Sequence, residues 1–156
     1  MDLSQLNNIA IKAALSAGKV IQQYRNEAVL VEKKKGGASY ASQVVTMVDN
    51  ACETAILAHL LPTCEEFDLA LLSEETEDDA SRFKEDFFWC VDPMDGTLPF
   101  INKQPGFSVS IALVAKDGTP YIGVVFDPST DTLYHASKGN GAYKNGSPWE
   151  IKPTND

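Results

Sequence analysis

Apolar positions recur at helical spacing through the first part of the chain and switch to strand-like patterns after about residue 69. Leu3, Leu6, Ile9, Ala10, Ala13, Ala17, Val20, Ile21 and Tyr24 form one stripe, which predicts an amphipathic helix over 3–25 with Asp2 as its cap. Val48, Cys52, Ala55, Ile56, His59 and Leu60 continue the helical period, so a second helix is expected over 47–61, stopped by Pro62. Residues 32–43, with Lys33-Lys34-Lys35-Gly36-Gly37, break the pattern and read as a mobile basic loop, either a flap over a bound phosphate or a solvated turn. Phe87-Phe88-Trp89-Cys90-Val91 is uniformly apolar and reads as a buried strand. Segments 107–115, 120–126 and 131–137 alternate or run apolar. They are separated by the turn pairs Asp117-Gly118 and Ser129-Thr130, and Lys144-Asn145-Gly146-Ser147 is a further tight turn. The resulting fold class is α+β, with two long helices on an antiparallel sheet.

Candidate chemistry lies where the apolar runs end. Asp92-Pro93-Met94-Asp95-Gly96-Thr97 follows the aromatic strand directly. Pro93 fixes φ and lacks an N–H, so it is expected to end the ladder and stiffen the turn. Two carboxylates so close repel unless a cation lies between them, and a hard divalent ion such as Mg²⁺ takes oxygen ligands of this kind. Gly96 permits close backbone approach and Thr97 adds a hydroxyl. A helix starting there would turn its N–H groups toward an anion. Adjacent cation and anion sites suggest chemistry on a phosphate. Either dipeptide alone would also suit a surface turn.

A second apolar run, Leu69-Ala70-Leu71-Leu72, ends in Ser73-Glu74-Glu75. If it lies beside the aromatic strand, Glu74 reaches the same cation as Asp92. Residues 65–86 hold ten carboxylates against Arg82 and Lys84, so Glu75, Glu77, Asp78 and Asp79 are expected to be a solvated face. Upstream, Thr46 and Asp49 have the spacing of a capping box, and by spacing alone the cap is the favoured reading.

Composition narrows the class. The chain has 156 residues, is 44% hydrophobic and carries a net charge of −9, which suits one folded domain and argues against a nucleic-acid or anionic-membrane surface. No apolar run is long enough to span a bilayer, and the start does not read as a signal peptide. Cys52, Cys64 and Cys90 are odd in number and lack metal-ligand spacing, so they read as reduced packing residues of a cytoplasmic protein. His59 and His135 are isolated; His59 reads as a helix-surface or core residue rather than a ligand.

In order along the chain, T-x-x-D (Thr46, Asp49), S-E-E (Ser73 to Glu75) and W-x-x-D-P-x-D-G-T-x-x-F (Trp89 to Phe100) resemble the inositol monophosphatase family. These are lithium-sensitive, Mg²⁺-dependent sugar-phosphate phosphatases. The likeness continues through Phe107–Leu113, Gly123–Pro128 and Lys138–Gly146. It covers nearly the whole chain but only about the first half of a family member. The family's later W-D-x-A-A-G-like motif is absent, and Pro99 stands where the family has Asn or Glu.

The resemblance implies residues 1–156 as a single N-terminal metal- and phosphate-binding domain, the first half of a layered αβαβα fold. It implies Glu74, Asp92 and the Met94 carbonyl around a first Mg²⁺, and Asp92 with Asp95 around a second that lacks one ligand. Phosphate would rest on the N–H groups of Gly96 and Thr97, beside Asp95. A water whose proton leaves through Glu74 and Thr97 would attack phosphorus in line, with Asp49 orienting Thr97. Inositol 1-phosphate is the expected substrate; 3′-phosphoadenosine 5′-phosphate and fructose bisphosphate are alternatives. A non-catalytic cation- or partner-binding domain is the other reading. The half-length chain is expected to self-associate and to show feeble or absent turnover.

Overall fold

The structure, a computed structural model, describes residues 1–32 and 38–150, with side chains at 1–25 and 45–150. Helix α1 spans Leu3–Glu32 and α2 spans Ala38–Phe67. The Lys33–Gly37 segment, expected as a flap or turn, lies outside the described residues. Strands β1 (Ala70–Ser73), β2 (Phe87–Asp95), β3 (Ser108–Ala115), β4 (Pro120–Asp127), β5 (Thr132–Ser137), β6 (Ala142–Lys144) and β7 (Ser147–Pro148) follow. A short helix α3, Thr97–Ile101, leaves the end of β2.

Asp2 caps α1 as expected, its Oδ1 accepting from the Ser4 and Gln5 backbone N–H groups at 2.9 and 3.3 Å. The second helix differs from expectation at both ends. It begins well before residue 47, so Thr46 and Asp49 lie inside it and form no cap. It also runs through Pro62 to Phe67. The cause is packing beyond the proline. The Trp89 Nε1–H donates to Thr63 Oγ1 at 2.9 Å, the Thr63 hydroxyl donates to the Leu60 carbonyl at 2.7 Å, and Cys64 and Phe67 pack on the core. Burying Trp89 completely against this last turn offsets the bond that Pro62 cannot donate.

The seven strands form one sheet in sequence order, β1 to β7. The expected antiparallel sheet is present from β2 onward, but β1 pairs with β2 in parallel, so the sheet is mixed. Helix α1 packs on β3, β4 and β5, and α2 packs on β1 and β2. Leu6, Ala13, Ile21, Val48, Ile56 and Leu60 from the helices meet Trp89, Val91, Val109, Ile111, Leu113, Val124 and Phe126 from the sheet. Gly18 is the close-approach point: a Cβ there would collide with the Phe126 ring.

The other face of the sheet carries an apolar row. Leu72, Cys90, Ala112, Gly123, Ala136 and Ala142 are register partners across six strands. Because side chains alternate along a strand, this row points away from the helices that bury Trp89, Leu113 and Val124. Beside it, Val125 is exposed, and Tyr134 and Trp149 stand with ring centroids 5.1 Å apart.

Candidate active site

The parallel pairing of β1 and β2 builds the site. Ser73 is the register partner of Val91, and the Glu74 N–H continues the ladder to the Val91 carbonyl at 3.2 Å. Glu74 and Asp92 therefore leave adjacent strands at the same sheet end. Strand β2 does not stop at Pro93, as expected from sequence. It continues to Asp95, and its register with β3 shifts between Asp92 and Asp95. That irregularity re-aims the segment while Pro93 and Met94 stay buried. Gly96 then takes φ 87° and starts α3. A Cβ at Gly96 would strike the Gly106 carbonyl and approach Phe107 Cα to 2.9 Å, so only glycine fits. Pro99 lies in the first turn of α3, where its missing N–H costs little, and its carbonyl accepts from the Gln104 N–H at 2.9 Å.

The electrostatics are those of crowded acids. Burial pushes the Asp92 carboxyl up to about 7, helped by the Glu74 charge, a hydrogen bond with Glu74 and the Asp95 charge; the Met94 N–H opposes them. Asp49, on the adjoining turn of α2, is pushed up to about 6 by burial, then by Glu75 and Glu74. Glu75 is raised by burial, Glu74 and Glu53. Structure thus gathers Asp49, Glu74, Glu75 and Asp92 into one negative field, with Asp95 exposed at its rim. Glu77, Asp78 and Asp79 are exposed as expected, and Asp78 pairs with Arg82 at 2.9 Å. Glu75 is exposed as expected as well, and its charge still reaches Asp49. No direct hydrogen bond joins Asp49 to the Thr97 hydroxyl among the described residues.

Two observations bear on a cation. Among the described residues, no three His, Cys, Asp or Glu side chains are gathered closely enough to enclose a metal by themselves. Asp92 Oδ1, however, is buried and has no hydrogen-bond partner there, an orphaned acceptor beside a second carboxylate. An all-oxygen set of few protein groups suits Mg²⁺, which keeps several waters and shares its remaining positions with substrate phosphate. The residues present fit that ion.

The remaining sequence candidates settle elsewhere. His59 Nε2 meets the Ser16 hydroxyl at 3.0 Å between the two helices, and His135 Nδ1 meets Asn7 at 3.2 Å. The three cysteines are free, and burial pushes the Cys52 thiol up to about 12. No helix among the described residues is long and apolar enough to cross a membrane. Sequence reasoning missed Glu53, a buried acid one turn beyond Asp49 that accepts a hydrogen bond from Thr76. The only signal was its i,i+4 spacing from Asp49 on one helix face.

Comparison with known proteins gives the family and the fold. Residues 2–156 match the family model described as the inositol monophosphatase family. The inositol-1-monophosphatase of Bacillus subtilis is 32% identical over 91% of this chain and 51% of its own length. The Nus factor SuhB of Haemophilus influenzae is 38% identical over 92% of this chain and 51% of its own. The crystal structure of inositol monophosphatase II from Staphylococcus aureus superposes with a TM-score of 0.74 at 35% identity, covering 97% of this chain and 51% of that one. The chain spans about half the length of the curated relatives it matches.

Proposed function

Because the chain belongs to the inositol monophosphatase family, we propose that it serves Mg²⁺-dependent hydrolysis of a small phosphomonoester, with inositol 1-phosphate as the preferred substrate. The observation that carries this reading is the placement of Glu74 and Asp92 side by side at the ends of parallel strands, with the buried Asp92 Oδ1 unpartnered. Bound Mg²⁺ supplies charge neutralisation on the phosphate and a lowered pKa for a neighbouring water. Glu74, Asp92, the Met94 carbonyl and Asp95 would hold the cations. The N–H groups of Gly96 and Thr97 orient the phosphate. The proton of the attacking water would leave through the Thr97 hydroxyl, which passes its own proton to Glu74 as the phosphorus–oxygen ester bond breaks, with Asp49 as the orienting carboxylate.

The described domain is the N-terminal metal- and phosphate-binding unit of this fold, and it associates through the apolar row on its open sheet face. 3′-Phosphoadenosine 5′-phosphate and fructose bisphosphate are the alternative substrates. One observation favours a second reading, a cation- or partner-binding domain without turnover: no three ligand side chains converge among the described residues.

Phosphate release from these three esters, with and without Mg²⁺, separates the readings. The phosphatase reading expects slow Mg²⁺-dependent release, below the ordinary range of roughly 1–1000 per second. It also expects Thr97→Ala to lower turnover far more than it weakens Mg²⁺ binding. Release that is independent of Mg²⁺, or no release above an Asp92→Ala background, contradicts it.

A further inference from the structure

Glu53 has a position that the proposed chemistry does not use. It lies on α2 four residues after Asp49 and is only 8% exposed. The Thr76 hydroxyl donates to its Oε1 at 3.0 Å. Thr76 stands two residues beyond Glu74, in the exposed acidic connection between β1 and β2. Burying a carboxylate is costly unless it is hydrogen-bonded, and Glu53 accepts this cost while its charge also disfavours ionised Glu75. A glutamine would accept the same Thr76 bond without that repulsion. A buried acid here is therefore best compensated when a cation occupies the neighbouring field.

The location of the bond gives it a role. Glu74 is exposed and begins a segment with many like charges, which would swing its carboxylate away from Asp92. Two tethers bracket it: upstream, the Glu74 N–H bonds the Val91 carbonyl, and downstream, Thr76 bonds Glu53. The first fixes the backbone to the sheet. The second fixes the following residues to α2, the helix that also carries Asp49.

We propose that Glu53 is a positioning residue: through the Thr76 hydroxyl it anchors the segment carrying Glu74, and so sets how Glu74 and Asp92 together receive a divalent cation. This rests on the cation reading above, but its test does not depend on turnover. Partners behind a metal ligand typically change metal affinity about 10–100-fold when removed.

The test is Mn²⁺ titration of the 156-residue chain, followed by the electron paramagnetic resonance signal of the free ion, on wild type, Thr76→Val, Thr76→Ser, Glu53→Gln and Glu53→Ala. Thr76 is exposed, so Thr76→Val leaves the core intact even if Glu53→Ala lowers stability. Thr76→Val and Glu53→Ala are each expected to weaken Mn²⁺ binding about 10-fold or more. Thr76→Ser should restore wild-type affinity, and Glu53→Gln should retain more than Glu53→Ala. The Thr76→Val, Glu53→Ala double variant should be no weaker than the worse single variant, because both remove one tether. Saturable wild-type binding with unchanged affinity in Thr76→Val overturns the inference alone. Absence of saturable wild-type binding overturns the cation site and the inference with it.

Discussion

Asp92 and Glu74 leave neighbouring parallel strands side by side, and the Glu74 charge adds to burial in pushing the Asp92 carboxyl up to about 7. A carboxyl raised this far holds its proton toward neutral pH, and a divalent ion competes with that proton for the same oxygens.

This sets a pH dependence for stability. Asp92 and Asp49 have folded-state values near 7 and 6 against an ordinary 3.8, so the folded chain holds their protons more tightly than the unfolded chain does. Stability then falls as pH rises from about 4 to about 7. In EDTA, the thermal midpoint should drop between pH 5 and 7.5, and Asp92→Asn should drop less over the same interval. A wild-type midpoint that rises with pH would contradict the shifts.

Thr63 tests how α2 continues past Pro62. Thr63→Val keeps the shape but leaves the buried Trp89 Nε1–H without its acceptor. The expected loss is about 1–3 kcal/mol, read as a lowered midpoint in urea or thermal unfolding. An unchanged midpoint would mean that packing alone holds the last turn.

Much of the fold was legible in the sequence. The strands expected at 107–115, 120–126 and 131–137 agree with β3, β4 and β5 to within one residue, because one buried face imposes strict alternation. Adjacency of the Glu74 and Asp92 strands was an open condition that the parallel pairing meets. The limits of α2 were not legible. Pro62 is a local stop signal, and it lost to the Trp89–Thr63 contact made by residues 26 apart in sequence. Thr46 and Asp49 have capping spacing but sit mid-helix, where the spacing carries no such meaning. Glu53 was not singled out, since burial of a single acid leaves no periodic trace.

The open sheet face should drive association. Its row from Leu72 to Ala142 is apolar throughout, and Gly123 at its centre leaves open space where a side chain would stand. Light scattering is expected to show a dimer or larger species. Val125→Lys, a change at an exposed position beside the row, should shift it toward monomer. A clean wild-type monomer would show that this face needs no cover.

The most direct test of the central claim is isothermal titration of Mg²⁺ into wild type and Asp92→Ala at a pH above 7, where Asp92 has released its proton. Saturable binding by wild type and its loss in Asp92→Ala are expected, with release of fewer protons as pH rises. Equal affinity in the two proteins would contradict the assignment of the cation to the Glu74–Asp92 pair.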